Sequence, residues 1–118
     1  HLELKKIIEL YQPQQLAIEQ VFVHINPQSA LKLGQARGAA LTASMQTSMS
    51  YHEYSPRAIK KAITGYGAAQ KGQMQQMIKL LLKLTELPAT DAADALGIAI
   101  CHCHHQQLAH TLSKATQN

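Results

Sequence analysis

Aromatic side chains are scarce in this chain of 118 residues, which has one Phe, four Tyr and no Trp. That scarcity argues against a surface built to stack successive nucleic-acid bases. Charge is also thin, at 15% of residues, while hydrophobic residues reach 46%. This balance belongs to a globular chain rather than a disordered one. The only cysteines, Cys101 and Cys103, stand two apart. They form no disulfide framework, and a reducing, intracellular compartment suits them best. No apolar run reaches the roughly 20 residues of a membrane span, and no signal-peptide pattern is present. A Walker loop, a Gly-x-Gly-x-x-Gly turn and a nucleophile elbow are all missing, which removes the commonest phosphate-cradle and serine-hydrolase readings. The sequence opens at His1 without a Met, as a processed or truncated product would.

The length suits a single domain with one core. Net charge is +4, a mild bias toward anionic partners such as nucleic acid. The seven histidines add positive charge below about pH 6.5.

Residues 14–22 read Gln-Gln-Leu-Ala-Ile-Glu-Gln-Val-Phe. The short apolar run predicts a buried strand over 15–19 with Glu19 at its carboxyl end, where open α/β sheets bind ligands. The plainer alternative is a strand that stops at a solvated Glu. Before it, residues 1–12 predict an amphipathic helix whose apolar stripe is Leu2, Leu4, Ile7, Ile8, Leu10 and Tyr11, stopped by Pro13. After it, 21–27 predicts a loop holding the lone Phe22, and Ser29 a cap for a helix over 30–47. Gly34 and Gly38 cost that helix about 1 kcal/mol each against Ala. They imply close approach of another backbone, either within the chain or from a second subunit. Lys32, Gln35 and Arg37 exclude a membrane helix pair.

Alternation predicts a second strand over 49–54. With the helix between, the two strands make a parallel βαβ unit and an α/β fold. Ser55 and Pro56 are a cap and a first helical residue, opening a helix that ends at Gly65. A turn over 66–69, a helix over 70–83, a break at Leu87-Pro88 and a last helix over 91–109 follow. The polar tail over 111–118 is expected to fray.

Asp91 and Asp94 are three apart and share a helix face. Acids in a first turn suit the helix dipole, and Asp91 could cap the helix. The competing reading is a metal site, because hard cations such as Mg²⁺ take carboxylate oxygens. A strand-end Glu facing Asp-x-x-Asp would suit two ions about 4 Å apart, the arrangement that cleaves phosphodiesters. From Ser55 to Lys83 the chain carries Arg57, Lys60, Lys61, Lys71, Lys79 and Lys83 and no acid. That composition fits a phosphate-facing surface, against the usual reading of a solvated helical face. The run Cys101-His102-Cys103-His104-His105 looks like a metal cluster. Residues two apart on a helix diverge by about 200°, so the reading here is structural or surface.

Four stretches then carry a resemblance. They are Leu16-Ala17-Ile18-Glu19-Gln20-Val21-Phe22, Ser29-Ala30-Leu31-Lys32-Leu33-Gly34-Gln35-Ala36-Arg37-Gly38, Gly65-Tyr66-Gly67-Ala68-Ala69-Gln70-Lys71 and Asp91-Ala92-Ala93-Asp94-Ala95-Leu96. In this order the chain resembles the RuvC family of Holliday-junction resolvases, of the ribonuclease H-like superfamily, over about residues 1–108. The resemblance implies a homodimeric, Mg²⁺-dependent endonuclease, with two ions per site and Mn²⁺ as a substitute. It would nick opposed strands of four-way DNA junctions symmetrically in recombination and repair. It would be cytoplasmic, with no membrane partner, and would work beside a branch-migration motor complex, RuvA–RuvB.

By the same resemblance Glu19, Asp91 and Asp94 are catalytic, metal-binding carboxylates. Lys60, also catalytic, and Lys71 lie near the scissile phosphate, and Phe22 contacts bases at the junction centre. Arg57 and Lys61 join them as nucleic-acid-binding residues through the acid-free run. The family's first strand carries a fourth carboxylate, the Asp of a Gly-x-Asp-Pro-Gly-type motif, in an antiparallel strand set that does not appear before His1. The expectation is therefore one N-terminally incomplete nuclease domain over 1–118, poorly active by itself. Two alternatives stay open: another ribonuclease H-like nuclease, such as one acting on RNA–DNA hybrids, and a non-catalytic basic DNA-binding or dimerisation fragment.

Overall fold

A computed structural model describes residues 2–20, 27–45, 48–65 and 71–116. Their order is α1 (Leu2–Tyr11), β1 (Gln15–Glu19), α2 (Pro27–Met45), β2 (Ser50–Tyr54), α3 (Pro56–Thr64), α4 (Lys71–Leu81) and α5 (Thr90–Thr116). The strands pair as a parallel two-stranded sheet flanked by helices, the α/β arrangement that the βαβ pattern predicts. The chain divides into two compact units, His1–Glu53 and Tyr54–Asn118.

In the first unit, α1 stops where Gln12 takes a positive φ of 48° and Pro13 follows. Its predicted apolar stripe is narrower than expected. Ile8 is buried, but Ile7, Leu10 and Tyr11 are exposed. β1 has the bounds its sequence predicts, but its residues are exposed or half-buried and not buried as expected. β2 begins one residue later than predicted, at Ser50, whose amide donates to the Gln14 carbonyl at 3.1 Å. The helix after β1 starts at Pro27, so Ser29 lies inside its first turn and not at the position before it. Proline suits that position because its ring presets φ and its missing N–H is not needed there. Among the described residues, close backbone packing at Gly34 and Gly38 is not found. A Cβ added at either meets nothing within 4 Å.

In the second unit, α3, α4 and α5 pack on one another. Local chemistry sets α3 as the sequence predicts. The Ser55 side chain accepts from the Ala58 amide, Pro56 opens the helix, and Gly65 closes it at φ 91°, a left-handed value that glycine adopts without a Cβ clash. α4 ends at Leu81, earlier than predicted. Lys83 takes the left-handed position (φ 55°), with Leu84 N–H bonded to Lys79 O and Lys83 N–H to Leu80 O. This paired closure satisfies the last carbonyls of the helix. The core is Ile63, Ile78 and Ala93, with Met74, Met77, Leu96 and Ile100 packed around it. Gly97 lies on the core face of α5, where an added Cβ would touch Ile59, Met74 and Ile78 at 3.5–3.6 Å.

α5 differs most from expectation. It starts at Thr90, which puts Asp91 within its first turn and not at the cap. It also continues to Thr116, so 111–116 is helical where a frayed tail was expected. Nothing between Ala109 and Thr116 stops a helix, since no Gly or Pro occurs there. Residues 103–116 are all exposed.

Candidate functional site

Glu19 is the last residue of β1 and is half-buried. Its main-chain carbonyl accepts a hydrogen bond of 3.1 Å from Nη1 of Arg37, in the middle of α2. Nη2 of the same guanidinium donates to the Tyr51 hydroxyl at 2.7 Å and forms an ion pair with Oε1 of Glu53. Tyr51 and Glu53 are two apart on β2, so they point to one face of the sheet. One arginine thus engages the carboxyl end of β1 and two side chains of β2. From the sequence, Arg37 is a charge that excludes a membrane helix and part of a stretch that carries the resemblance, with no role of its own. Its position between the two strands, on a helix with little other charge, was the available signal.

In the second unit, Asp91, in the first turn of α5, and Asp94, just beyond it, are both exposed. Their spacing puts them on one face, at the helix end whose unpaired amides favour negative charge. Among the described residues neither carboxylate is engaged in a salt bridge. Two hard oxygen donors on one face fit Mg²⁺, which takes one or two carboxylates and completes its shell with water and phosphate. No group of three His, Cys, Asp or Glu able to hold a metal ion is found among the described residues. Glu19 belongs to the first unit and the two aspartates to the second.

The basic residues divide by helix face. On α3, Ile59 and Ile63 are buried while Arg57 and Lys61 are exposed and Lys60 is half-buried. The apolar face meets the core and the basic face is turned outward. Lys71 is the first residue of α4. Phe22 lies outside the described residues.

The Cys-His run is helical throughout, and the helix separates its cysteines: Cys101 is buried and Cys103 exposed. Burial pushes the Cys101 thiol above its usual value. His102, also buried, shares a 2.6 Å hydrogen bond through Nδ1 with the Tyr54 hydroxyl. The Tyr54 ring lies 4.9 Å from that of His105. No helix among the described residues is long and apolar enough to cross a membrane.

Comparison with known proteins adds a second line. The sequence model of the family "Crossover junction endodeoxyribonuclease RuvC" matches residues 2–102. A relative of that name from Coxiella burnetii (strain RSA 331) is 54% identical over 113 residues, covering 96% of this chain and 66% of its own. One from Polynucleobacter asymbioticus is 48% identical over 112 residues, covering 95% and 65%. This chain therefore spans just under two thirds of the length of those relatives. Among solved structures, Thermus thermophilus RuvC matches with a TM-score of 0.83 at 30% identity, over 92% of this chain and 66% of that one. The same organism's RuvC in complex with a Holliday junction substrate matches with a TM-score of 0.86, also at 30% identity, over 92% and 67%.

Proposed function

The chain belongs to the RuvC family of crossover junction endodeoxyribonucleases, and on that premise we propose that the protein resolves four-way DNA junctions. It would hydrolyse one phosphodiester in each of two opposed strands, in recombination and repair. The observation that carries this reading is the match, over 92% of the chain, to a relative held in complex with a Holliday junction substrate.

Glu19, Asp91 and Asp94 are the proposed metal-binding carboxylates, within a single ribonuclease H-like nuclease domain over 1–118. Asp91 and Asp94 support this by being exposed, on one face, and chemically suited to Mg²⁺ or Mn²⁺. Two such ions, when bound, activate a water and stabilise the leaving oxygen of a phosphodiester. The protein's own cations deal with the phosphate charge. Lys60 and Lys71 would neutralise the scissile phosphate, and Arg57 and Lys61, exposed on α3, would hold the flanking backbone. Phe22 would stack on unpaired bases at the junction centre, a contact any base can make through its π-face.

A homodimer suits a substrate with two opposed strands to cut, since a two-fold axis supplies two equivalent sites. Exposed Leu31 and Leu33 on α2, with open space beside Gly34 and Gly38, support that helix as a subunit contact. Family membership supports a cytoplasmic location and a branch-migration motor complex, RuvA–RuvB, as partner.

The deciding experiment offers the full-length protein a four-way junction and an RNA–DNA hybrid, each with Mg²⁺. Symmetric nicks in the junction and an intact hybrid are expected. Hybrid cleavage would point to another ribonuclease H-like activity. Metal and junction binding without cleavage would point to a DNA-binding module.

A further inference from the structure

We infer that Arg37 is a positioning residue for Glu19: it fixes the end of β1 so that the Glu19 carboxylate meets the metal in one orientation. This rests on the reading of Glu19 as a catalytic metal ligand.

Arg37 does not touch the Glu19 carboxylate through the bond described. Its Nη1 donates to the Glu19 carbonyl at 3.1 Å. The other end of the guanidinium is anchored twice, on the Tyr51 hydroxyl at 2.7 Å and on the Glu53 carboxylate. A planar cation held at both ends has little freedom to turn, so the carbonyl it grips is also held. The peptide following Glu19 and the direction of the Glu19 Cα–Cβ bond are set together by the backbone there. Metal ligands need placement to within about 0.5 Å, which their supporting hydrogen bonds supply.

Glu19 is the last residue of β1, and the Arg37 guanidinium ties its carbonyl to Tyr51 and Glu53 on β2. The geometry also requires arginine. Lysine carries the charge, but as a single point it cannot span a main-chain carbonyl on one strand and a phenol and carboxylate on the other. A phosphate-binding role fits less well, since all three described bonds go to protein groups and the side chain is only 25% exposed.

The test compares Arg37→Lys, Arg37→Gln, Tyr51→Phe and Glu19→Gln in the full-length protein. The measurements are Mn²⁺ binding by calorimetry without DNA, the Mg²⁺ concentration at half-maximal cleavage, metal-free junction affinity with its salt slope, and melting temperature. Arg37→Lys should weaken Mn²⁺ binding and raise the Mg²⁺ requirement by about 10-fold or more. Tyr51→Phe, which removes one anchor, should move both in the same direction by less. Junction affinity and salt slope should stay at wild-type values.

Normal metal binding in Arg37→Lys, with cleavage lost in Glu19→Gln, overturns this inference alone. Full cleavage by Glu19→Gln overturns the site reading beneath it. A shallower salt slope in Arg37→Gln makes Arg37 a phosphate contact and also overturns the inference. Should the Arg37 variants fail to fold, Tyr51→Phe decides, because it deletes a single hydroxyl from an exposed residue.

Discussion

The Tyr54 hydroxyl and Nδ1 of His102 lie 2.6 Å apart, joining the last residue of β2 to a buried position on α5 across 48 residues of sequence. Burial, reinforced by the nearby Cys101 and Cys103 thiols, raises the Tyr54 pKa above the usual tyrosine value. The folded state therefore favours the neutral phenol. Its contribution to stability is fully present below about pH 10, where the unfolded chain's tyrosine begins to ionise, and is lost as pH rises through the higher folded value. The buried Cys101 thiol is raised as well and acts with the same sign, from about pH 8.5 upward. Thermal melts from pH 7 to 11 should show a falling melting temperature at the alkaline end. Tyr54→Phe should lower stability at neutral pH by about 1 kcal/mol, the usual worth of a hydrogen bond, and make the alkaline fall shallower. A fall equally steep in the variant would show that Tyr54 does not contribute.

Packing around Gly97 gives an opposed pair of outcomes. Ile78 is fully buried, so Ile78→Ala should cost about 2–5 kcal/mol of unfolding free energy. At Gly97 a Cβ finds ordinary contact distances, so Gly97→Ala should be tolerated and add up to about 1 kcal/mol from helix propensity. Gly97→Leu should instead overpack the α3–α4–α5 core and lose about 1–3 kcal/mol. Denaturant unfolding of the three variants checks the order.

Loss of a carboxylate charge should separate cleavage from binding. Glu19→Gln, Asp91→Asn and Asp94→Asn each remove a proposed metal ligand and no phosphate contact. Each should abolish junction cleavage in Mg²⁺ while leaving junction affinity close to wild type. Near-normal cutting by any of them removes that residue from the site.

Lys60→Ala and Lys71→Ala should weaken junction binding and flatten its salt dependence. Each lost phosphate contact lowers the slope of log K against log salt by about 0.9. Titrations at several salt concentrations measure it, and an unchanged slope returns that lysine to the solvated face.

Phe22→Ala should spare the melting temperature and impair cleavage, because a stacking residue contributes about 1–3 kcal/mol to DNA binding and little to the fold. A large drop in melting temperature with normal cleavage would make Phe22 a packing residue.

Near neighbours along the chain govern the parts of the fold that were legible without coordinates. Ser55, Pro56 and Gly65 set both ends of α3, because a cap, a preset φ and a left-handed exit each act within one turn. The apolar run before Glu19 bounded β1, and the three-residue spacing put Asp91 and Asp94 on one face. The ends of α2 and α5 were less legible. Pro27 could open a helix as readily as sit in a loop, and past Ala109 a polar composition did not distinguish an exposed helix from a frayed tail. Packing between elements sets which apolar residues of α1 are covered, brings Arg37 to Glu19 and Tyr51, 18 and 14 positions away, and brings Tyr54 to His102. Periodicity describes which residues share a face. It carries no information on what that face meets, because a contact between distant residues depends on how whole elements pack and not on the spacing within any one of them.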